Sequence, residues 1–179
     1  MRRAVAVLVV ALLSGCGNER TPVPDLAEPA KPVGTKPVTL SGIRFTAPAN
    51  WTVLGPRGEL LGGLQSGTAT LVVWRYPRTE PLPESEGDLR AAKARLESQV
   101  RQRDPDFTFR AVEVTRRGGA DAIEVTGEQT IGGTRHGVRS AHVFHDGTEI
   151  VVDAYAPPGT FEASDAAVFQ PVLESLRLP

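Results

Sequence analysis

FTFRAVEVTRRGGADAIEVTGEQTIGGTRHGVRSAHVFHDGTEIVVDAYAP, residues 107–157, decides the fold. Gly118-Gly119, Gly132-Gly133 and Asp146-Gly147 cut it into four runs rich in β-branched residues, about 107–116, 120–131, 134–145 and 148–157. Tight hairpin turns need positive φ at their centres, which Gly-Gly and Asp-Gly supply at little steric cost. The spacing therefore predicts a four-stranded antiparallel meander. In the second run Ile123, Val125 and Ile131 point one way, while Glu124, Thr126, Glu128 and Thr130 point the other.

Upstream, the period changes. Leu89, Ala92, Leu96 and Val100 recur at steps of three and four, one stripe of a helix over 85–103. Ser85 with Asp88 offers an N-terminal cap, and Pro105 ends the helix. Residues 68–76 (TATLVVWRY) read as a strand with apolar side chains on both faces, so it should lie inside the sheet. Val38–Leu40, Ile43–Pro48 and Trp51–Leu54 read as short strands around Ser41-Gly42 and Asn50. The glycine-rich stretch 55–67 reads as turns and a mobile loop, and lacks phosphate-loop spacing. At the C-terminus, Ser164 is the expected N-cap of a helix carrying Val168, Val172 and Leu176; Pro171 should kink or split it. Strands, a helix, a meander and a final helix make an α+β domain, with helices packed on an antiparallel sheet.

Three strings resemble a known superfamily: Phe45-x-x-Pro48-x-x-Trp51, the long helix ahead of a meander, and Phe169-Gln170-Pro171-Val172-Leu173-Glu174-Ser175-Leu176. The resemblance is to the PsbP-like proteins, which join the extrinsic P subunit of photosystem II, a nuclear Ran-binding protein and many bacterial lipoproteins. It covers roughly residues 38–179. It implies an α/β/α sandwich around an antiparallel sheet, and partner binding more often than catalysis. Pro171 departs from an uninterrupted last helix. The shared motifs mark core packing and chain turns, so the resemblance assigns no binding residue here.

The N-terminus carries a different signal. Arg2 and Arg3 precede Ala4–Leu13, an uncharged run of about ten residues, half the roughly 20 needed to cross a bilayer as a helix. Its length and flanks are those of a signal-peptide core. Leu13-Ser14-Gly15-Cys16 resembles the lipobox of bacterial lipoproteins, with Cys16 at the position that receives lipid. The expected organisation is a signal peptide at 1–15, a lipidated Cys16 with a proline-rich tether over 16–37, and a folded domain at 38–179. Pro22, Pro24, Pro29, Pro32 and Pro37 should keep that tether extended and unpaired. Two or three acyl chains would hold the chain stably at a bilayer. The localisation implied is a bacterial cell membrane, with the domain facing the exterior or the periplasm.

Composition narrows the remaining choices. The 179 residues carry a formal charge of -1; losing Arg2 and Arg3 takes Lys and Arg from 20 to 18 against 21 acids. That balance gives no general pull toward nucleic acid. One cysteine cannot form an internal disulfide or supply a cysteine zinc site, and no cofactor motif is present. His136 and His145 are nine residues apart on one run, about 30 Å, and His142 and His145 differ in parity. Arg116, Arg117, Arg135, His136 and Arg139 read as solvated turn and edge residues. Asp153 and Glu149 can be placed near one another, but spacing alone shows no perturbed pair. No Gly-x-Ser-x-Gly or Ser-x-x-Lys motif appears, so no catalytic residue is assigned. The expectation is a non-enzymatic envelope lipoprotein that binds or supports another protein. The alternative is a small-ligand receptor or hydrolytic enzyme with a pocket between sheet and helices. A deep concave pocket with converging polar side chains favours the second; a filled core with flat faces favours the first.

Overall fold

The computed structural model describes residues 27–179; the expected signal peptide, Cys16 and the first part of the expected tether lie outside the described residues. A hairpin of β1 (Thr35–Leu40) and β2 (Ile43–Pro48) precedes β3 (Thr52–Leu54), β4 (Leu60–Ser66) and β5 (Ala69–Pro77). Helix α1 (Glu86–Arg103) leads into the meander, β6 (Thr108–Arg117), β7 (Ala120–Ile131), β8 (Thr134–His145) and β9 (Thr148–Ala156). The chain ends with α2 (Pro158–Ser164), a π-helical turn (Asp165–Phe169) and α3 (Gln170–Glu174). Strands β3 to β9 form one antiparallel sheet in the order β3-β4-β5-β9-β8-β7-β6. The meander and its three turns stand as the sequence predicts, with Asp146 and all five turn glycines at positive φ. Strand β5 is interior, between β4 and β9, as its two-sided apolar pattern requires.

The sheet carries a layer on each face, and the two are unequal. On one face lie the β1–β2 hairpin and the C-terminal helical segment. There a cluster of 23 buried apolar residues includes Trp51 and Phe169, whose rings meet edge to face at 6.2 Å. On the other face α1 presents Ala92 and Leu96 to Ile123 and Val125, a buried cluster of four with Val100, Phe107, Phe109 and Phe144 around it. Ser85 and Asp88 close the expected capping box at the start of α1. Acids in its first turn and Arg101 and Arg103 in its last suit the helix dipole.

Four expectations need correction. Residues 27–37 are not an unpaired tether. Thr35–Pro37 pair with β2; Thr68 N–H donates to Ala27 O at 3.0 Å, Ala30 N–H to Ser66 Oγ at 2.9 Å and Val33 N–H to Asn50 Oδ1 at 3.0 Å. The folded body therefore begins ahead of Val38. Proline removes its own donor, but its neighbours' amides remain free to bond. Second, residues 60–66 of the supposed mobile loop form β4. A side chain at Gly63 would come within 2.1 Å of Leu71 O, so glycine there permits close strand approach. Third, the C-terminal helix starts at Pro158, six residues before Ser164, which is buried within the helical run. Proline fits the first helical turn because its missing N–H has no partner there. Pro171 does divide the segment: Gln170 N–H reaches back five residues to Asp165 O, and the wider π turn places the ring without breaking the path. Fourth, Arg139 is not a solvated turn or edge residue but a half-buried one paired with Glu124 and Asp165, as described below.

Candidate functional site

Because α1 is fastened to β6 and β7, it leaves the neighbouring half of its own sheet face uncovered. A cleft of about 1400 Å³ opens there, floored by β5, β9 and β8 and walled by α1 and residues 77–84. The register sets the floor in rows. Val72, Asp153 and Ser140 lie side by side; Trp74, Val151 and His142 form the next row; Tyr76, Glu149 and Phe144 form the third. Directly opposed antiparallel residues share a face, so the polar groups of three strands converge.

They form one chain. Arg78 Nη1 donates to Glu149 Oε2 at 2.8 Å, Glu149 Oε1 lies 2.7 Å from His142 Nδ1, and His142 Nε2 lies 3.2 Å from Ser140 Oγ. Ser140 Oγ donates to Asp153 Oδ1 at 2.5 Å. The hydroxyl proton is committed to Asp153, and His142 bridges Ser140 and Glu149 through its two ring nitrogens. Burial alone would push the Glu149 carboxyl up. The hydrogen bond and charge of His142, with Arg78 and Arg103, outweigh it and hold the group below the usual carboxylate range. Tyr76 is pushed up, by burial first and then by the charges of Asp153, Glu59 and Glu149. Trp74 and Tyr76 stack with ring centres 6.4 Å apart, half-buried in the cleft.

Serine, imidazole and carboxylate in that connectivity have the order of a hydrolytic relay. Two features separate this chain from one. The serine proton is held by Asp153 rather than aimed at the imidazole. And β8 is interior, so the N–H groups beside Ser140 are spent in the ladders to β7 and β9 and no paired donors face a developing oxyanion.

The opposite face holds a second polar network, closed under the C-terminal segment. Arg139 grips Asp165 with Nε and Nη2, at 2.6 and 2.8 Å, and donates from Nη1 to Glu124 at 2.9 Å. Arg117 also donates to Glu124, and Gln170 Nε2 donates to Asp165 at 2.8 Å. Glu124 and Asp165 are 6% and 4% exposed. Arg139 is half-buried because its parity is that of Ala141 and Val143; the surface expectation followed its charge and not its position.

The other candidates are dispersed. His136 touches Thr134 O and the edge of Tyr155; His145 lies on the face opposite His142, beside Asp146. Arg116 pairs with Asp121 and Arg135 with Glu128. Among the described residues no group of three or more His, Cys, Asp or Glu is placed to hold a metal ion, and no helix is long and apolar enough to cross a membrane. Glu149 and Asp153 do share the cleft, on one strand with Val151 between them. Sequence reasoning passed over Ser140, Trp74 and Tyr155. The signal available for them was parity: Ser140 shares a face with His142, as Trp74 does with Tyr76.

Solved structures match this arrangement over most of its length. The cyanobacterial PsbP protein, CyanoP, of Synechocystis sp. PCC 6803 superposes with a TM-score of 0.59, at 13% identity over 93% of this chain and 99% of its own. The fold is PsbP-like. LpqN of Mycobacterium tuberculosis, described as involved in cell envelope biogenesis, aligns at TM-score 0.56 and 18% identity, over 82% of this chain and 91% of its own. A Pseudomonas aeruginosa protein described as a putative regulator, PA94, aligns at 0.54 and 14% identity, over 82% and 98%. No family model and no curated protein matches the sequence. At these identities the likeness establishes the PsbP-like α+β architecture; function rests on the site.

Proposed function

We propose that this chain is a lipid-anchored envelope protein, held at a bacterial membrane through Cys16, whose PsbP-like domain binds another protein non-enzymatically in the cleft beside α1. The observation that carries the reading is the cleft itself: about 1400 Å³ of open space with converging polar and aromatic side chains, on a sheet whose other face is filled. Small-ligand sites run about 300–1,000 Å³, so this one is sized for a longer ligand. A concave cleft with converging polar groups is the feature expected of the pocket-bearing alternative, so the reading joins the two: the pocket is a receptor site whose extended ligand is a segment of a partner protein, and the relay geometry gives the hydrolytic alternative no support. An envelope setting accords with the description of LpqN and with the lipobox-like string at Leu13–Cys16.

Photo-crosslinking in intact cells tests it. Benzoylphenylalanine at Gln99 or Tyr155, in the cleft, is expected to trap one protein, and at Val53, exposed on β3, to trap none. Equal capture from all three positions would remove the cleft from the account. Radiolabelled palmitate is expected to enter the wild type and not Cys16→Ser; a wild type that takes up no label contradicts the anchor.

A further inference from the structure

We infer that the cleft receives a basic, extended segment of the partner protein, with a lysine or arginine side chain of that segment seated over Asp153 between Trp74 and Tyr155. The inference rests on the reading of the cleft as the partner site and adds the chemistry of what enters it.

Charge points in one direction. The chain as a whole is nearly neutral at -1, yet six carboxylates line the cleft against three guanidiniums. One guanidinium, Arg78, is already committed to Glu149 at 2.8 Å and Glu80 at 3.6 Å. The other two, Arg95 and Arg103, stand exposed on the α1 wall. They carry donors only, which suit the backbone carbonyls of an extended segment. The cleft lining therefore holds more carboxylates than guanidiniums, and of the two carboxylates on its floor, Glu149 and Asp153, only Glu149 is paired with cationic partners.

That charge is concentrated at Asp153. Glu149 has both an imidazole and a guanidinium, whereas among the described residues Asp153 has no cationic partner within 4.0 Å and only the Ser140 hydroxyl on Oδ1. It is half-buried in the cleft floor. Tyr155 follows two residues along the same strand and face. Trp74 is the diagonal neighbour, because Asp153 opposes Val72 and Trp74 opposes Val151. A carboxylate flanked by two aromatic rings is the arrangement that holds an ammonium or guanidinium, by ion pairing and by attraction to the ring faces. Length agrees: the α1 wall of 18 residues runs about 27 Å, room for about eight residues of extended chain.

The test titrates the full chain, in detergent, with three fluorescein-labelled heptapeptides: glycine alternating with lysine, with norleucine or with glutamate. Fluorescence anisotropy is expected to show saturable binding of the lysine peptide, at least about tenfold tighter than the other two and weakened by added salt. Asp153→Asn and Tyr155→Leu are each expected to weaken it about tenfold, with the thermal midpoint held. Glu174→Gln, an exposed acid on α3 across the sheet, is expected to change nothing. Equal binding of the norleucine peptide, preference for the glutamate peptide, or equal losses in Asp153→Asn and Glu174→Gln would each overturn the inference. If Asp153→Asn unfolds, Tyr155→Leu decides: it keeps every charge, and unchanged affinity there removes the aromatic seat. Crosslinks that persist from Gln99 and Tyr155 while the lysine peptide shows no preference would overturn the basic ligand alone. Loss of both would remove the cleft reading as well.

Discussion

The two faces of the sheet each hold a chain of charged side chains, and they are built for different ends. Beneath the C-terminal segment, Glu124, Arg139, Arg117, Asp165 and Gln170 form a closed set in which the two carboxylates face two guanidiniums, and Glu124 and Asp165 are almost wholly removed from water. Beside α1, Arg78, Glu149, His142, Ser140 and Asp153 form an open set that ends on a carboxylate facing a cleft. A buried ion network costs desolvation and returns mainly a defined geometry, because any other placement strands a charge. The closed set thus fixes where the C-terminal segment sits, and the open set keeps its last charge available to a ligand.

The sharpest way to break the comparison is to remove the hub of the closed set. Arg139→Met strands Glu124 and Asp165 under the helix and is expected to cost about 3–5 kcal/mol, read by urea unfolding. A loss below about 1 kcal/mol would show that the closed face is not closed. Next comes Gly137→Ala, whose added methyl would lie 2.3 Å from Phe161 Cγ. Overpacking there is expected to cost about 1–3 kcal/mol and to loosen α2 from β8. On the open side the effects shrink. Asp153→Asn keeps an acceptor for Ser140 in a half-exposed position and is expected to cost under about 1 kcal/mol. A larger loss would make Asp153 part of the fold rather than of the site. The smallest effect is in pH. The Glu149 carboxyl is held below its ordinary value of 4.5, so its contribution is complete above that value and fades as pH falls through the lower folded one. The difference in thermal midpoint between wild type and Glu149→Gln is therefore expected to be constant near neutrality and to narrow in acid.

Much of the architecture could be read from residue order. Turn chemistry placed the meander, since Gly-Gly and Asp-Gly turns sit where φ must be positive, and the stripe Leu89, Ala92, Leu96 placed α1. Other features depended on contacts that spacing cannot show. Strand β4 is glycine-rich, and its pairing follows from close approach to β3 and β5. The start of α2 hides behind Pro157-Pro158, which resembles a loop. Arg139 carries a surface residue's charge at a core residue's parity. The cleft was legible least of all: Glu149, Asp153, Ser140 and His142 have the right parity, but only the offset of α1 toward β6 and β7 leaves them uncovered.

One tryptophan on each face allows a direct test of the central claim, that the α1 side is open to a ligand and the other side is not. Trp51 is 2% exposed against Phe169, and Trp74 stands in the cleft on Tyr76. Acrylamide quenching of the full chain and of Trp74→Phe, with and without the lysine heptapeptide, separates the two. The account predicts that Trp74 is quenched readily and protected once the peptide binds, while Trp51, the only tryptophan left in Trp74→Phe, is quenched little and does not respond. Equal quenching of both rings, or protection of Trp51 by the peptide, would contradict it.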